Sequence, residues 1–134
     1  MTGIIAGNFD IIHPGYILMF NQMKKHVNEI HVLLHTDPSL DRKEKIKPLL
    51  SVKDRKMTLL ALKGITNVSS YNSEEELLKL IIDINPDIRF LGDDYKNRVD
   101  YTGYGLPPKI IFLKRDHGWS TTKFKNLIAK SILK

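Results

Sequence analysis

Short apolar runs alternate with stretches of helical spacing from one end of the chain to the other. Gly3-Ile4-Ile5-Ala6-Gly7 is apolar on both faces and bounded by glycine, the pattern of a central parallel strand covered on both sides. Pro14 suits a first helical turn, where its missing N–H costs nothing, and Ile17, Phe20, Met23 and Val27 then form a helical stripe. Residues 29–35 alternate, with Ile30, Val32 and Leu34 on one side and His31, Leu33 and His35 on the other, and predict a second strand. His31 reads as a strand-face histidine without a chemical role. Residues 36–50 carry Pro38, Pro48 and several basic side chains without periodicity, and predict a long loop of the kind that serves as a lid or binding loop.

Ser51 with Asp54 marks another helix start, Met57, Leu60 and Ala61 supply its expected buried stripe, and Gly64 is its stop. Residues 67–71 predict a weak strand at an edge. Ser73 with Glu76 opens a third helix with an inward face of Leu77, Leu78, Ile81, Ile82 and Ile84, closed by Asn85-Pro86. A fourth strand is expected over 87–91, an irregular segment over 96–108 and a fifth strand over 109–113. A last helix is expected over 120–133, with Phe124, Leu127, Ile128 and Ile132 inward. Strands alternating with helices predict an α/β fold, a doubly wound open parallel five-stranded sheet of Rossmann-like type with helices on both faces. At 134 residues the expectation is a single domain over 1–134.

Composition narrows the function. The chain is 42% hydrophobic and 27% charged, the profile of a soluble globular protein, and no apolar run approaches the roughly 20 residues of a membrane span. No signal-peptide core precedes the first strand, and cysteine is absent, so the expectation is a cytoplasmic protein without disulfides or thiolate chemistry. The formal charge of +6 points to an anionic partner. Residues 41–56 hold seven Lys or Arg against three acids, yet no aromatics interleave them and no helix-turn-helix, zinc-finger or RNP-type signature is present. A small polyphosphate substrate fits better than nucleic acid, and the remaining lysines read as a solvated surface.

The unusual residues fall in four loops. They are the stretch from Gly7 to Tyr16, the lysine-rich loop, Gly92-Asp93-Asp94-Tyr95, and the turn from Arg115 to Thr122. All follow the carboxyl ends of strands, which in an open α/β sheet share the ligand-binding edge. Taken singly, His13 is equally a phosphate donor or a helix cap, and Ser120-Thr121-Thr122 is first a cap and second a phosphate site. Asp93-Asp94 is a turn or a metal and ribose site. Neither a Walker loop nor a dinucleotide fingerprint is present.

Gly7-Asn8-Phe9-Asp10-Ile11-Ile12-His13-Pro14-Gly15 resembles the G-T-F-D-x-x-H-x-G-H signature of the cytidylyltransferase-like nucleotidyltransferases. Arg115-Asp116-His117-Gly118-Trp119-Ser120-Thr121-Thr122-Lys123 is similar to that family's R-T-x-G-I-S-T-T-K, and Gly92-Asp93-Asp94-Tyr95 to the G-D-D-W of its glycerol-3-phosphate cytidylyltransferases. Asp54-Arg55-Lys56 stands where such enzymes carry a helix arginine. The resemblance implies transfer of a nucleotidyl group from CTP to a small phosphorylated alcohol, with release of pyrophosphate and with Mg²⁺. It implies that His13 donates to the α-phosphate or bridging oxygen. Arg55, Arg115 and one or more of Lys43, Lys45 and Lys47 would neutralise phosphate, with Lys45 the candidate carried forward. It assigns nucleotide binding to Gly7, Asn8, Phe9, His13, Gly15, Tyr16, Asp93, Arg115, Ser120, Thr121 and Thr122, no protein metal ligands, and a homodimer.

Two positions depart from the pattern. Asn8 replaces threonine and stays polar, whereas Tyr16 replaces the second histidine. A phenol donates one hydrogen bond but cannot carry an imidazolium's charge. Loss of one transition-state donor costs about 2.7–4 kcal/mol unless a neighbour substitutes, and His35 and His117 are the candidates for that. Alternative readings are an adenylyl- or cytidylyltransferase acting on a sugar phosphate, phosphoethanolamine or phosphocholine, the last caged by Tyr95, Tyr101, Tyr104 and Trp119. A nucleotide-binding relative that has lost turnover through Tyr16 is the non-enzymatic alternative.

Overall fold

The computed structural model describes residues 1–40, 42–44 and 46–133. Among these residues five strands, β1 (Thr2–Gly7), β2 (Glu29–His35), β3 (Ile65–Tyr71), β4 (Ile88–Gly92) and β5 (Lys109–Leu113), form a wholly parallel sheet in the order β3-β2-β1-β4-β5. Among the described residues four α-helices connect or follow them: α1 (Pro14–Met23), α2 (Val52–Leu60), α3 (Glu74–Ile84) and α4 (Thr121–Ile132).

The period of two along the strands sorts side chains between two cores. Ile5, Ile30, Val32 and Leu34 pack with Phe20 and Met23 of α1 and Leu59 of α2. Ile4 and Leu33 point the other way and pack with Leu77 and Ile81 of α3. Each such buried side chain stabilises the fold by roughly 1.5–3 kcal/mol relative to leaving it exposed. Helices therefore cover both faces, as the alternating pattern predicts.

Helix starts obey the expected capping chemistry. Ser51, Ser73 and Ser120 accept from the backbone N–H groups of Asp54, Glu76 and Lys123. The inward faces of the helices differ from the expected stripes. In α2, Met57 and Leu60 are exposed and the buried residues are Arg55 and Leu59, because Arg55 turns toward backbone carbonyls at the sheet edge. In α3 only Leu77 and Ile81 are buried, and Leu78 and Ile82 face out. Ile17 of α1 is also exposed. Leu127, Ile128 and Ile132 of α4 face out as well, since that helix docks through its first turns, by Thr121, Phe124 and Lys125.

The connection from β4 to β5 crosses the sheet without an α-helix. Arg89 of β4 pins it, donating to the carbonyl of Thr102 and lying 5.4 Å from the centre of the Tyr101 ring. Gly103, at φ +83, passes so close that a β-carbon there would stand 2.6 Å from the guanidinium. Burial draws the Arg89 pKa down, opposed by Tyr101, Tyr71, Glu74 and Tyr95.

Strand order reverses between β1 and β4. Their ladder pairs are Gly3 with Ile88 and Ile4 with Arg89, both toward the amino-terminal ends, whereas β1 pairs with β2 from Thr2 to Gly7. The carboxyl ends of β1 and β4 thus leave a crevice at the switch point, where ligands bind in open α/β sheets.

Candidate active site

The loop after β1 is built to present one imidazole. Phe9 adopts a left-handed backbone, φ 43, and buries its ring near Tyr16 and Phe20, with centroids 5.3 and 5.9 Å apart. A β-carbon on Gly7 would come within 3.1 Å of that ring. Phe9, expected at the nucleotide, therefore has its ring in the core, and its strained backbone turns the chain toward His13. His13 caps α1, its Nδ1 accepting from the Gly15 N–H at 3.1 Å. A ring nitrogen that accepts carries no proton, so the neutral imidazole holds its proton on Nε2. Burial, and then the nearby His117, lower the His13 pKa and favour that neutral form.

Tyr16 and Thr121 close one side of the imidazole. The Tyr16 ring stacks on His13 with centroids 4.4 Å apart, and its hydroxyl lies 2.8 Å from Thr121 Oγ1. Thr121 Oγ1 is in turn 3.4 Å from His13 Nε2. Trp119 stacks near His13 from the other signature, at 5.7 Å and 15°. Gly15 is where the two loops meet: a β-carbon there would stand 2.6 Å from Trp119 Cβ, 2.8 Å from His13 Cε1 and 2.9 Å from His117 Cε1.

The turn after β5 brings the remaining candidates to this edge. Ser120 caps α4, whose amino end carries Thr121 and the exposed Thr122. Its unpaired backbone N–H groups and helix dipole favour an anion. Arg115 is exposed and 3.5 Å from Asp94, and a β-carbon on Gly92 would stand 3.0 Å from the Arg115 side chain. Asp93 is exposed beside them, at the start of a short 3-10 turn, Asp93–Tyr95.

Arg55 takes a different place from the one its motif suggests. It is 2% exposed and donates to four carbonyls, those of Leu50, Asn8, His35 and Thr36, at 2.7 to 3.0 Å. Rather than facing phosphate, it ties the loops after β1 and β2 to the start of α2. Asn8 contributes its carbonyl to this tie. Burial lowers the Arg55 pKa against support from Asp10 and Asp37, and a guanidinium stays charged throughout.

Asp10 and Lys125 were not singled out by sequence reasoning, and both are central. The Asp10 carboxylate accepts from the backbone N–H groups of Leu49 and Leu50 and from Lys125 Nζ. Burial alone would raise its pKa, but the bonds from Lys125, Leu49 and Leu50 prevail and hold it below the ordinary value. Asp10 stands in the first signature string, which was the one available signal; its partners are dozens of residues away. Lys43 and Lys47 are exposed on the loop that Asp10 anchors, and Lys45 lies outside the described residues.

Of the two stand-in histidines, His117 is beside His13, whereas His35 packs edge-on against Tyr71 with centroids 4.8 Å apart. The four-aromatic cage is not assembled. Tyr95, Tyr101 and Tyr104 pack on one another edge to face, with Arg98 4.7 Å from the Tyr95 ring centre, while Trp119 belongs to the His13 stack. Among the described residues no three His, Asp or Glu side chains cluster as a metal site. A Mg²⁺ that arrives on a triphosphate needs at most one or two carboxylates, of which Asp93 and Asp94 lie at this edge.

Comparison with known proteins places these features in context. The model of the family described as cytidylyltransferase-like matches residues 4–126. The chain is similar to glycerol-3-phosphate cytidylyltransferase of Bacillus subtilis (strain 168), 31% identical over 94% of this chain and 95% of that protein. It is 37% identical to FAD synthase of Methanohalophilus mahii over 70% of this chain, and spans 65% of that relative's length. FAD synthase of Methanosarcina barkeri is 34% identical, over 83% of this chain and 82% of the relative. Among solved structures, a lipopolysaccharide core biosynthesis protein from Thermoplasma volcanium GSS1 superposes with a TM-score of 0.68 at 25% identity, covering 84% of this chain and 95% of that one.

Proposed function

The chain belongs to the cytidylyltransferase-like family of nucleotidyltransferases, and from that premise we propose that it makes a CDP-alcohol from CTP and a small phosphorylated alcohol of the glycerol 3-phosphate type. A phosphate oxygen of the acceptor attacks the α-phosphorus of CTP, and the bond from that phosphorus to its bridging oxygen breaks, releasing pyrophosphate. The observation that carries the reading is the meeting of His13, Thr121 and the amino end of α4 at the switch-point crevice. The end-to-end likeness to the B. subtilis enzyme supports the acceptor class.

Such chemistry rests on alignment and charge neutralisation. His13 donates its Nε2 proton to the α-phosphate or the bridging oxygen. The start of α4, at Ser120, Thr121 and Thr122, holds the β- and γ-phosphates. Arg115, with one or more of Lys43, Lys45 and Lys47, neutralises the phosphates, and Asn8 and Asp93 line the nucleotide. Gly7 and Gly15 allow the close approach of the loops, and Arg55 acts as a positioning residue. Mg²⁺ bound to the triphosphate would supply further charge neutralisation, and Asp93 and Asp94 are the carboxylates at this edge that could face it. The reading includes a cytoplasmic homodimer. No described helix is long and apolar enough to cross a membrane, and exposed Met57 and Leu60 offer apolar surface to a second copy.

A second reading, adenylyl transfer from ATP to a flavin phosphate, is favoured by the 37% and 34% identities to FAD synthases. Pyrophosphate release decides between them. CTP and ATP are each offered, with Mg²⁺, together with glycerol 3-phosphate, riboflavin 5′-phosphate, phosphoethanolamine, phosphocholine or a sugar phosphate. Turnover is expected with CTP and glycerol 3-phosphate, falling roughly 10²–10³-fold in His13→Ala. Turnover confined to ATP and the flavin phosphate establishes the second reading. Nucleotide binding without pyrophosphate release from any pair overturns both.

A further inference from the structure

We infer that Tyr16 is a positioning residue: its hydroxyl donates to Thr121, so that the Thr121 proton is turned away from Tyr16 and toward a phosphoryl oxygen. This rests on the nucleotidyl-transfer reading of the site and assigns Tyr16 a role that a second histidine would not fill in the same way.

A threonine hydroxyl has one proton and two lone pairs. His13 Nδ1 accepts from Gly15, so its proton sits on Nε2, 3.4 Å from Thr121 Oγ1, and Thr121 is the acceptor of that contact. Between Tyr16 Oη and Thr121 Oγ1, 2.8 Å apart, a single proton lies. A phenol is the more acidic of the two hydroxyls and the better donor, so that proton is the tyrosine's. In the free protein both lone pairs of Thr121 are then occupied; when the His13 proton turns to a substrate, the Tyr16 bond still holds one lone pair, and the Thr121 proton is left for the crevice. The Tyr16 ring is held for this by stacking on His13 and by packing against Phe9. Thr121 opens α4, so the direction of its O–H is fixed beside the helix amino end, where an anion is favoured.

The test uses Tyr16→Phe, which keeps the ring and removes the hydroxyl, alongside Thr121→Val, Thr121→Ser and the double variant Tyr16→Phe/Thr121→Val. With the substrate pair that turns over, Tyr16→Phe is expected to lower kcat about tenfold. Thr121→Val should lower it at least as much, and Thr121→Ser should recover most of what Thr121→Val loses. The double variant should be no slower than Thr121→Val alone, because Tyr16 acts through Thr121. Additive losses in the double variant, or a Tyr16→Phe enzyme as fast as wild type, overturn the inference. A second readout needs no turnover. Long-range ¹H–¹⁵N spectra of the free protein should show His13 protonated at Nε2 and not at Nδ1, with the Nε2 resonance moving in Tyr16→Phe. A ring protonated at Nδ1 instead overturns the inference even where the proposed reaction is confirmed. Absence of pyrophosphate release, with the expected spectra, counts against the reaction and supports the geometry.

Discussion

The ammonium of Lys125 donates to the buried carboxylate of Asp10 at 2.6 Å, joining the last helix to the loop after the first strand. The same carboxylate accepts from the N–H groups of Leu49 and Leu50, so one side chain fixes three segments that are far apart in sequence. Removing one partner of a buried pair leaves an uncompensated charge, at a cost of about 3–5 kcal/mol. Lys125→Met is therefore expected to lower unfolding free energy by that order, measured by urea denaturation.

Asp10 also gives the fold an acid limit. Its folded pKa is below the ordinary 3.8, so the folded chain resists protonation where the unfolded chain accepts it. The stability this supplies is complete above the unfolded value and is lost as pH falls through the lower folded value. Denaturation curves from pH 5 down to pH 2 should show that loss in the wild type and a flatter profile in Asp10→Asn.

Arg55→Lys separates a tie from a phosphate contact. A lysine has three donors on one atom and cannot reproduce bonds to four carbonyls on three segments. Unfolding free energy should fall by roughly 2–4 kcal/mol in the absence of any nucleotide. Unchanged stability with a raised KM for the triphosphate would instead return Arg55 to the phosphates.

Gly15→Ala is expected to damage the site more than the fold. The added methyl meets Trp119, His13 and His117 at 2.6 to 2.9 Å, so the two signature loops must separate. Overpacking of this kind costs about 1–3 kcal/mol. A fall in kcat much larger than the change in Tm would mark the loss of the His13 geometry, and equal activity would exclude it.

The pH dependence of kcat/KM should carry a basic plateau that extends below pH 6.5. His13 is held neutral by burial and then by the like charge of the nearby His117, so its protonation requires a lower pH than an ordinary histidine does. His117→Ala removes that repulsion, and the acid limb should move upward.

The strands and the caps were legible because they are local. Period-two alternation over residues 29–35 and the serines at 51, 73 and 120 carry their reasons within a few residues. The stripes of α2 and α4 were not, since periodicity weighs apolar side chains and α2 is oriented by a buried arginine. The place of Phe9 in a signature points to the nucleotide, but its ring is held by Tyr16 and Phe20. Arg55 by its type suggests phosphate, and its partners are carbonyls brought together only when the sheet forms. Asp10 and Lys125, 115 residues apart, gave no joint signal.

The short ladder between β1 and β4 makes the sheet resemble an open book with a narrow spine. One cover carries β1, β2 and β3 with the first signature loop, and the other carries β4 and β5 with the second. On the proposed reading, a substrate gripped by both loops would be a clasp as well as a reactant. Its affinity adds to the cohesion of the two covers, so that saturating nucleotide at 100 times its Kd would raise the unfolding free energy by about 2.7 kcal/mol.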